Sequence, residues 1–316
     1  MRIAVIGAGL AGLTAARDLH DRGYTVVIWE KARGAGGRTS TRRGPGGLRF
    51  DHGAPFLHDG VLPLEDLEGL VSHRLTLPGG AARVEIVGAP SANAPAKGLA
   101  HRLDLRAQTR VDTILRSGDG WHLAAEDGGA LGQFDAVVVA APALQTAELL
   151  ADAVPGIAAR AAQLDFAPCW SVMAAWDEPL GVGFTAAEDI PGIAIAVADG
   201  AKPGRDPGER WVLQTDEDVS TACLEAEPDE IIALVLDRWA QRLGRTAPAP
   251  VHVAAHRWRY ARPRTPLPET FLQAGTLVAA GDWCGGASAG AAIRSGAAAA
   301  ATLGAVLGSP PSASSA

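Results

Sequence analysis

The chain has 316 residues, of which 47% are hydrophobic and 20% are charged, and this is the composition of a globular protein large enough for two domains. The formal net charge of −7 at pH 7 argues against a nucleic-acid partner. The first apolar run is short, rich in glycine and without a small-residue cleavage site, so we interpret it as a strand rather than a signal peptide. We therefore expect a cytoplasmic protein that binds neither nucleic acid nor membrane; the sequence leaves its oligomeric state open.

The first predicted elements are a strand that begins at Ile3, a glycine-rich turn and a helix. The strand runs directly into Gly7, Gly9 and Gly12, which have the spacing G-x-G-x-x-G. In this motif the first glycine permits a tight turn, the second lets a pyrophosphate approach the backbone, and the third lets helix and strand pack closely. The amides at the start of the helix face the phosphates, at the positive end of the helix dipole.

The second predicted strand, residues 25–29, is followed by an acidic residue. Glu30 comes eighteen residues after Gly12, where a carboxylate can accept hydrogen bonds from the hydroxyls of an unphosphorylated ribose. A glycine-rich turn that binds nothing would not need this complete strand–turn–helix–strand context. The N-terminal region therefore predicts a site for an adenine dinucleotide.

Residues 31–43 extend the nucleotide pattern with further glycines and a cluster of cations. Gly36 and Gly37 make a loop whose backbone amides can bind an anion, and Arg38 can add paired contacts to phosphate or carbonyl oxygens. A solvated basic loop would explain the charges but not the glycines. We therefore assign this loop to the same nucleotide site.

Two kinds of structure are predicted for the middle of the chain. The first comprises a strand, a helix and a three-stranded β-meander, at residues 81–87, 94–103, 109–115, 121–126 and 134–140. From about Pro155 tryptophans become frequent, and the sequence predicts three strands and an amphipathic helix at residues 170–176, 192–198, 210–215 and 228–243. We interpret the second region as an antiparallel substrate domain inserted between two parts of the nucleotide domain.

A second nucleotide signal lies near the C-terminus. Residues 276–280 predict a strand that ends at Gly281 and Asp282, and a helix of small residues follows from about Ala287 to Leu307. Together with the N-terminal glycines, this ending resembles the flavoprotein superfamily that includes the amine oxidases. In that superfamily the aspartate binds the ribityl or pyrophosphate region of FAD, and the helix points its N-terminus at the flavin, where negative charge develops on reduction. The resemblance implies FAD rather than NAD as the cofactor.

The three cysteines, Cys169, Cys223 and Cys284, lie far apart and form no C-x-x-C pair. This spacing excludes a redox-active disulfide and a structural zinc site, and we predict no metal site. Cys284 lies close to Asp282 and suggests a covalent flavin link, but a small buried residue is the preferred interpretation. We therefore expect FAD to be bound non-covalently. The C-terminal helix carries Arg294, which favours a buried helix over a membrane span.

A narrower resemblance covers nearly the whole chain. Its motifs occur in order at residues 36–38, 50–54, 140–145, 167–170, 202–205, 256–261 and 281–284. The set resembles the bacterial renalases, within the flavin amine oxidase superfamily. The resemblance implies an α/β fold, in which a Rossmann-type FAD-binding domain like that of p-hydroxybenzoate hydroxylase carries an inserted α+β antiparallel substrate domain. It also implies an oxidase that takes hydride from dihydro-isomers of NAD(P) and passes the electrons to O2, releasing H2O2.

The predicted domains and site residues follow from the motifs and from this resemblance. The FAD-binding domain is predicted over residues 1–58, 98–150 and 248–308, the substrate domain over 59–97 and 151–247, and a disordered tail over 309–316. The predicted FAD-binding residues are Gly7, Gly9, Leu10, Ala11, Gly12, Glu30, Lys31, Gly37, Arg38, Thr39, Gly53, Ala54, Val111, Ala140, Pro142, Gly281, Asp282, Ala292 and Ile293. The predicted catalytic residues, which would orient the substrate by apolar and aromatic contact, are Phe56, His256, Trp258, Tyr260 and Trp283.

Three polar residues carry alternative interpretations. His52 is either a proton carrier near the flavin or, as we prefer, a histidine held by backbone groups in a turn. His256, with Arg257 and Arg259, either holds an anionic substrate or belongs to a solvated strand face. Lys202 is the candidate for activating oxygen through a water molecule, but the proline and glycine that follow it favour a turn.

The chain departs from the renalase pattern at two places where substrate would be held. After residues 51–54 the family continues Gln-Tyr-Phe, whereas this chain has Pro55-Phe56-Leu57 and a shorter segment up to Ser91. At residues 289–292 the chain lacks a carboxylate that is common in the family. Three functions therefore stay open: a renalase-like oxidase, an oxidase or desaturase of an amine or a small biosynthetic intermediate, and a FAD-bound protein without turnover.

Overall fold

The computed structural model describes residues 1–57, 67–118, 120–188, 190–245 and 248–308. The tail predicted for residues 309–316 and part of the segment that follows Phe56 lie outside the described residues. The strands are β1 (Arg2–Ile6), β2 (Thr25–Trp29), β3 (Arg42–Arg43), β4 (Arg49–Phe50), β5 (Leu70–Thr76), β6 (Ala82–Gly88), β7 (Asp104–Arg106), β8 (Val111–Ser117), β9 (Gly120–Ala125), β10 (Ala130–Phe134), β11 (Ala136–Val139), β12 (Phe166–Trp176), β13 (Ala186–Ala187), β14 (Ile193–Ala198), β15 (Glu209–Thr215), β16 (His252–Pro263), β17 (Leu272–Ala274) and β18 (Leu277–Ala279). The helices are α1 (Leu10–Asp21), α2 (Ala94–Ala100), α3 (Ala143–Leu150), α4 (Pro155–Ala162), α5 (Glu217–Ala222), α6 (Pro228–Leu243) and α7 (Ala289–Leu307).

A six-stranded sheet forms the centre of the nucleotide-binding half, in the order β17-β18-β11-β1-β2-β7. Its strands run parallel except β17, which is antiparallel to β18. The central strands are apolar and buried on both faces, which is typical of a parallel sheet covered by helices. Helices α1 and α7 pack together on one face, and α3 and α4 join the core on the other. This arrangement is the Rossmann-type domain that the glycine motif predicted.

Helices α1 and α7 approach closely because small residues line their contact. At Gly296 in α7 a Cβ atom would lie 2.2 Å from the carbonyl oxygen of Ala11 in α1, so a larger residue would push the helices apart. By its length and apolar composition α7 also qualifies as a membrane-spanning helix. Its residues Ala299 and Leu303 are fully buried and pack in the core that α7 shares with α1.

The small sheet β10-β9-β8 differs from the predicted meander in its last strand. The sequence predicted one strand over residues 134–140, whereas Ala130–Phe134 completes the small sheet and Ala136–Val139 enters the parallel sheet. All four residues of β11 are buried, as a central parallel strand requires. The prediction missed β10, whose Gly132 and Gln133 weaken its apolar pattern, and assigned the apolar run of β11 to the meander.

A five-stranded antiparallel sheet forms the second half of the molecule, in the order β13-β14-β15-β12-β16. Helix α6 packs on this sheet over a core that contains Trp170, Trp176, Trp211 and Trp239. The elements predicted at residues 170–176, 192–198, 210–215 and 228–243 correspond to β12, β14, β15 and α6. The tryptophan-rich region therefore forms the antiparallel part of the fold that the sequence predicted.

Two of the predicted domain boundaries are wrong. Strand β16 was predicted within the nucleotide-binding part 248–308, but it pairs with β12 and belongs to the antiparallel sheet. Helix α4 was predicted within the substrate part 151–247, but its Ile157 and Ala161 pack in the core of the nucleotide-binding half. The half-buried residues of β16 and the apolar stripe of α4 suit either domain, so the sequence could not assign them.

Candidate cofactor and active site

The glycine-rich turn between β1 and α1 has the geometry that a dinucleotide requires. Gly7 has a φ of +105°, and its amide donates to the carbonyl oxygen of Trp29 at 2.8 Å. A Cβ atom at Gly12 would lie 2.0 Å from the carbonyl oxygen of Gly7, so only glycine lets α1 pack against the turn. A Cβ atom at Gly9 would meet no described atom within 4 Å, which leaves this backbone open to a ligand. Within the described residues no side chain caps α1, so its first amides stay available to a phosphate.

Glu30 is held at the end of β2 by two backbone amides. Its carboxylate is buried, and Oε2 accepts from the amide of Ala8 and Oε1 from the amide of Ala32, both at 2.7 Å. Each carboxylate oxygen can accept a second hydrogen bond, so the side chain is oriented without being saturated. The neighbouring Lys31 is exposed and donates from Nζ to Oε1 of Gln145 at 3.0 Å. Glu30 therefore presents its carboxylate beside the glycine turn, where the motif places ribose.

The second glycine-rich loop lies against the first. The amide of Gly36 donates to the carbonyl oxygen of Ala8 at 2.9 Å, and a Cβ atom at Gly37 would lie 3.2 Å from the Cα atom of Gly9. Gly36 and Gly37 have φ angles of +139° and +54°, which other residues rarely adopt. The buried Thr39 closes the loop by donating from Oγ1 to the carbonyl oxygen of Gly36 at 2.8 Å. The two glycine-rich loops are therefore in direct contact.

Arg38 joins these N-terminal loops to the C-terminal end of the parallel sheet. Its Nη2 atom lies 2.6 Å from Oδ1 of Asp282, and its Nη1 atom donates to the carbonyl oxygen of Ala261 at 3.0 Å. The Asp282 side chain is only 10% exposed, so the ion pair is partly shielded from water. The amide of Gly281 donates to Oγ of Ser295 at 2.9 Å, which fixes the strand end to α7. The glycine-rich loop near the N-terminus and the Gly281-Asp282 strand end near the C-terminus therefore lie side by side.

The segment that carries Gly53 and Ala54 packs on the second glycine loop. The amide of Ala54 donates to the carbonyl oxygen of Arg38 at 2.8 Å, and a Cβ atom at Gly53 would lie 1.9 Å from that oxygen. Gln214 of β15 donates from Nε2 to the carbonyl oxygen of Gly53 at 2.6 Å. The sequence analysis missed Gln214, although a polar residue inside the apolar run of β15 was the signal for it.

The remaining predicted FAD-binding residues lie at the carboxyl ends of parallel strands or near the starts of the elements that follow them. These residues are Leu10, Ala11, Val111, Ala140, Pro142, Ala292 and Ile293. The amide of Ala140 donates to the carbonyl oxygen of Ile6 at 2.8 Å, which sets the end of β11 beside the glycine turn. Ligands of open α/β sheets bind at this edge. The contacts of these predicted residues with FAD stay predictions.

Two of the predicted catalytic residues, His256 and Trp258, lie together on β16, with their rings 4.5 Å apart. The ring of His52 lies 4.8 Å from that of His256 and 5.1 Å from that of Trp258, and Nε1 of Trp258 donates to the carbonyl oxygen of His52 at 2.8 Å. Beyond Trp258 the pairing of β16 with β12 shifts in register, and Tyr260 packs edge-on against Phe166 at 5.8 Å. We refer to His52, His256 and Trp258 as the aromatic face.

Both histidines of the aromatic face are mainly neutral at pH 7. Burial, together with the nearby His256 and Arg42, lowers the pKa of His52 to about 3. Burial and Arg42 also lower the pKa of His256. The Nδ1 atom of His52 is buried and has no hydrogen-bond partner in the described part of the chain. A histidine whose pKa lies this far below 7 is a poor proton carrier, which favours the structural interpretation of His52.

Phe56 and Trp283 lie apart from the aromatic face, and Tyr260 packs against the same core as Trp283, which differs from the prediction. Trp283 is fully buried in the nucleotide-binding half, and its Nε1 donates to the carbonyl oxygen of Ala141 at 3.0 Å. Phe56 is buried with Leu75 and Val87 of the β5–β6 hairpin. A large apolar side chain suits a core as well as a substrate wall, and only the structure separates the two. Contact of Phe56 and Trp283 with a substrate therefore stays a prediction.

Arg257 and Arg259 lie on the opposite face of β16 and pair with one carboxylate. Arg259 contacts both oxygens of Glu225, at 2.6 and 3.0 Å, and Nη1 of Arg257 lies 3.0 Å from Oε2 of the same residue. Glu225 is largely exposed, so these pairs are in contact with water. The solvated strand face is therefore the interpretation that fits these two arginines, while His256 belongs to the other side.

Cys284 has the environment of a small core residue. It is buried, and burial together with the nearby Asp282 raises the pKa of its thiol. The thiolate is the reactive form of cysteine, so a raised pKa makes the side chain inert at pH 7. This environment favours the preferred interpretation over a covalent link to flavin.

Two family models match the chain. The model described as an NAD(P)-binding Rossmann-like domain matches residues 5–67, and the model described as a flavin-containing amine oxidoreductase matches residues 86–303. The second match covers more than half of the sequence. The chain therefore belongs to the flavin-containing amine oxidoreductase family.

One relative shares a short stretch of sequence with the chain, and solved structures share its fold. Lysine-specific histone demethylase 1 homolog 1 of Arabidopsis thaliana is 41% identical over 69 residues, which are 22% of this chain and 7% of that protein. The chain thus matches only a small part of that relative. Cyclohexylamine oxidase from Brevibacterium oxydans IH-35A superposes with a TM-score of 0.76 at 16% identity, over 97% of this chain and 99% of that one. Wild-type putrescine oxidase bound to putrescine has a TM-score of 0.70 at 15% identity, over 96% and 99% of the two chains.

The family and the fold establish a FAD-dependent oxidoreductase of the amine-oxidase type, and they confirm the predicted fold class and FAD as cofactor. Members of this family act on small molecules with O2. The described residues fit the cofactor: the backbone is bare over Gly9, the first amides of α1 are uncapped, and the Glu30 carboxylate has unused acceptor capacity. When bound, FAD supplies a ring that accepts a hydride and returns two electrons to an acceptor.

Proposed function

We propose that this oxidoreductase is a renalase-like oxidase of reduced nicotinamides. The substrate would be a dihydro-isomer of NAD(P) that is reduced away from the normal nicotinamide position. Its ring loses a hydride and becomes NAD(P)⁺, and the two electrons leave with two protons on O2 as H2O2. The ordered set of renalase-like motifs along the chain supports this choice within the family.

The observation that carries the proposal is the charge at the aromatic face. Both of its histidines are mainly neutral at pH 7, and the cation Arg42 acts on both. Asp51 also acts on His52, but it is buried in ion pairs with Lys202 and Arg205. Among the described charged groups that shift the pKa of these two histidines, the one that takes part in no ion pair is therefore Arg42, a cation.

The β3–β4 hairpin brings Arg42 close to β16. A Cβ atom at Gly44 would lie 3.2 Å from Nε2 of His252, and the ring of Phe50, the pairing partner of Arg42, lies 5.7 Å from that of His252. Arg42 is half-buried. Within the described residues it takes part in none of the ion pairs.

An arginine that forms no ion pair with a described residue, close to neutral rings, favours an anionic ring substrate over a protonated amine. The guanidinium can form charge-assisted hydrogen bonds with a phosphate, and aromatic rings can pack against a nicotinamide. A protonated amine would be repelled by the same cation. The chemistry of this face therefore supports a phosphorylated dihydronicotinamide.

Anaerobic mixing in a stopped-flow spectrophotometer tests the proposal. We expect dihydro-isomers of NAD(P) to bleach the flavin absorbance near about 450 nm roughly a hundredfold faster than ordinary NADH, because a misplaced hydride carbon costs about that much in rate. Admission of air should then restore the absorbance and release H2O2. The proposal fails if no dihydronicotinamide isomer reduces the flavin while a primary or secondary amine does.

An amine oxidase is the second candidate function. The two structural neighbours described above carry the names of cyclohexylamine and putrescine oxidases, and Trp258 and Tyr260 offer apolar surface against which an uncharged amine could pack. The same anaerobic screen separates the two candidates, because each predicts a different class of reductant for the flavin.

A further inference from the structure

A buried cluster of charges lies next to the aromatic face, outside the site described so far. Lys202 and Asp51 have side chains that are each 1% exposed, and Nζ of Lys202 lies 3.4 Å from Oδ2 of Asp51 and 3.0 Å from Oδ1 of Asp199. The guanidinium of Arg205 also contacts Oδ2 of Asp51. The four residues carry two positive and two negative charges, so the cluster is balanced. Lys202 begins a turn with Pro203 and Gly204, as the sequence favoured, because the amide of Arg205 donates to its carbonyl oxygen at 3.3 Å, but its charge is used inside the protein.

Asp51 is the residue on which this cluster converges. Oδ1 of Asp51 accepts from Oγ1 of Thr41 at 2.7 Å and from the amide of Ala92 at 3.0 Å, and the amide of Asp51 donates to Oδ2 of Asp199 at 3.1 Å. Burial alone would raise the pKa of Asp51, but Lys202, together with Arg205 and Thr41, lowers it to about 2. Groups from three separate parts of the chain therefore fix one carboxylate.

The three residues after Asp51 connect the cluster to the cofactor loops and to the aromatic face. The carbonyl oxygen of His52 accepts from Nε1 of Trp258, and that of Gly53 accepts from Nε2 of Gln214. The amide of Ala54 donates to the carbonyl oxygen of Arg38. A change in the position of Asp51 must move these contacts, because the backbone between residues 51 and 54 is short and bound on both sides.

We propose that Lys202 and Asp51 are positioning residues. Lys202 holds Asp51, and Asp51 holds the segment 52–54 between the Arg38 loop and the aromatic face, so the pair sets the environment of FAD without contacting it. The inference depends on FAD as cofactor and not on the class of substrate. Its failure would leave the proposal of a nicotinamide substrate intact.

Two variants that disturb Asp51 from opposite sides test this role in the FAD-loaded protein. Lys202→Met removes the buried cation, Thr41→Val removes one hydroxyl donor with little change in volume, and Lys97→Met removes an exposed lysine of α2 as the control. We expect both test variants to change the visible circular dichroism of the bound flavin and to weaken FAD binding by about two- to thirtyfold, the range for residues that act through another residue. The control should change neither quantity.

A merely structural role gives a different result. In that case the folded variants would keep the parent's flavin circular dichroism and FAD dissociation constant, while only their unfolding temperature would fall, and the proposal would be overturned. Lys202→Met leaves two buried carboxylates with fewer cations and is the variant at risk of not folding. If it does not fold, Thr41→Val decides the question with the same two measurements.

Discussion

The two glycine-rich loops and the aromatic face are held in place by different means. At the loops, backbone meets backbone: a Cβ atom on Gly12 or Gly53 would lie 2.0 or 1.9 Å from a carbonyl oxygen. At the aromatic face, side chains from distant segments meet, and His52 contacts two residues of β16 that lie more than 200 positions away in the sequence. The contact between backbones admits only glycine, whereas many residue types can make contacts between side chains.

This difference explains why the cofactor was easier to predict than the substrate. A position that admits only glycine leaves a fixed letter at a fixed spacing, so the sequence alone shows it. A face built from histidine and tryptophan leaves no such pattern, because the same residues also fill cores. Substitutions at the two regions should therefore fail in different ways.

The largest effect is expected at Gly12. Gly12→Ala should destabilise the fold by more than about 3 kcal/mol, because its Cβ atom would overlap the carbonyl oxygen of Gly7 and the helix would have to move. Gly9→Ala should change the unfolding free energy by less than about 0.5 kcal/mol, since its Cβ atom meets no described atom within 4 Å. Urea unfolding of the FAD-free proteins measures both values.

The matched pair also separates folding from cofactor binding. Gly9→Ala should weaken FAD binding by about 1–3 kcal/mol, because the added methyl group occupies the space that the pyrophosphate needs. Equal stability losses in the two variants would show that the space around Gly9 is not free. Unchanged FAD affinity in Gly9→Ala would show that the pyrophosphate lies elsewhere.

Smaller losses are expected from the two carboxylates at opposite ends of the chain. Glu30→Gln and Asp282→Asn should each weaken FAD binding by about 1.5–3 kcal/mol, the value of a hydrogen bond to a charged group. Glu30→Gln should leave the flavin spectrum nearly unchanged, whereas Asp282→Asn should also shift the redox potential of the flavin. Titration with FAD, with the exposed Glu126→Gln as control, checks the assignment. If both variants keep the parent's affinity for FAD, Glu30 and Asp282 do not bind the same cofactor.

The aromatic face predicts a pH dependence of stability. As the pH falls below the ordinary His pKa of 6.5, the unfolded chain takes up a proton at His52, whereas the folded chain does not until about pH 3. Stability should therefore fall with falling pH, by about 1.4 kcal/mol between pH 7.5 and pH 5.5. Urea unfolding at the two pH values should show this loss in the parent and in the exposed control His20→Gln. His52→Gln should show less of it, and an unchanged pH slope in that variant would refute the buried, neutral His52.

The sequence predicted those parts of the fold in which local pattern and tertiary role coincide. Helix α6 was predicted at its observed bounds, Pro228–Leu243, because its proline start, amphipathic stripe and following glycine agree with one another. The last strand of the meander was misplaced because the apolar run over residues 134–140 serves two sheets. Strand β16 was placed in the wrong half because only its pairing with β12 assigns it.

Within the site, the sequence found the backbone elements and missed the long-range side-chain contacts. Glu30 and Asp282 stand at strand ends and could be placed from the motif, whereas their link through Arg38 could only be seen in three dimensions. Trp283 looked like part of a substrate wall because it follows Asp282, but its side chain turns into the core. The contribution of Arg42 depends on the contact of the β3–β4 hairpin with His252 of β16, which no local pattern encodes.

The most direct measurement compares Arg42→Met with Arg43→Met, its exposed neighbour on β3, during anaerobic reduction of the flavin. The substrates are dihydro-isomers of NAD and the matching dihydronicotinamide ribosides, which lack the phosphates. We predict that Arg42→Met lowers the second-order rate of reduction by the dinucleotide about ten- to hundredfold and leaves the riboside rate unchanged, while Arg43→Met changes neither. Equal losses for both substrates, no loss in Arg42→Met, or faster reduction of the parent by an amine would contradict a face built for an anionic nicotinamide.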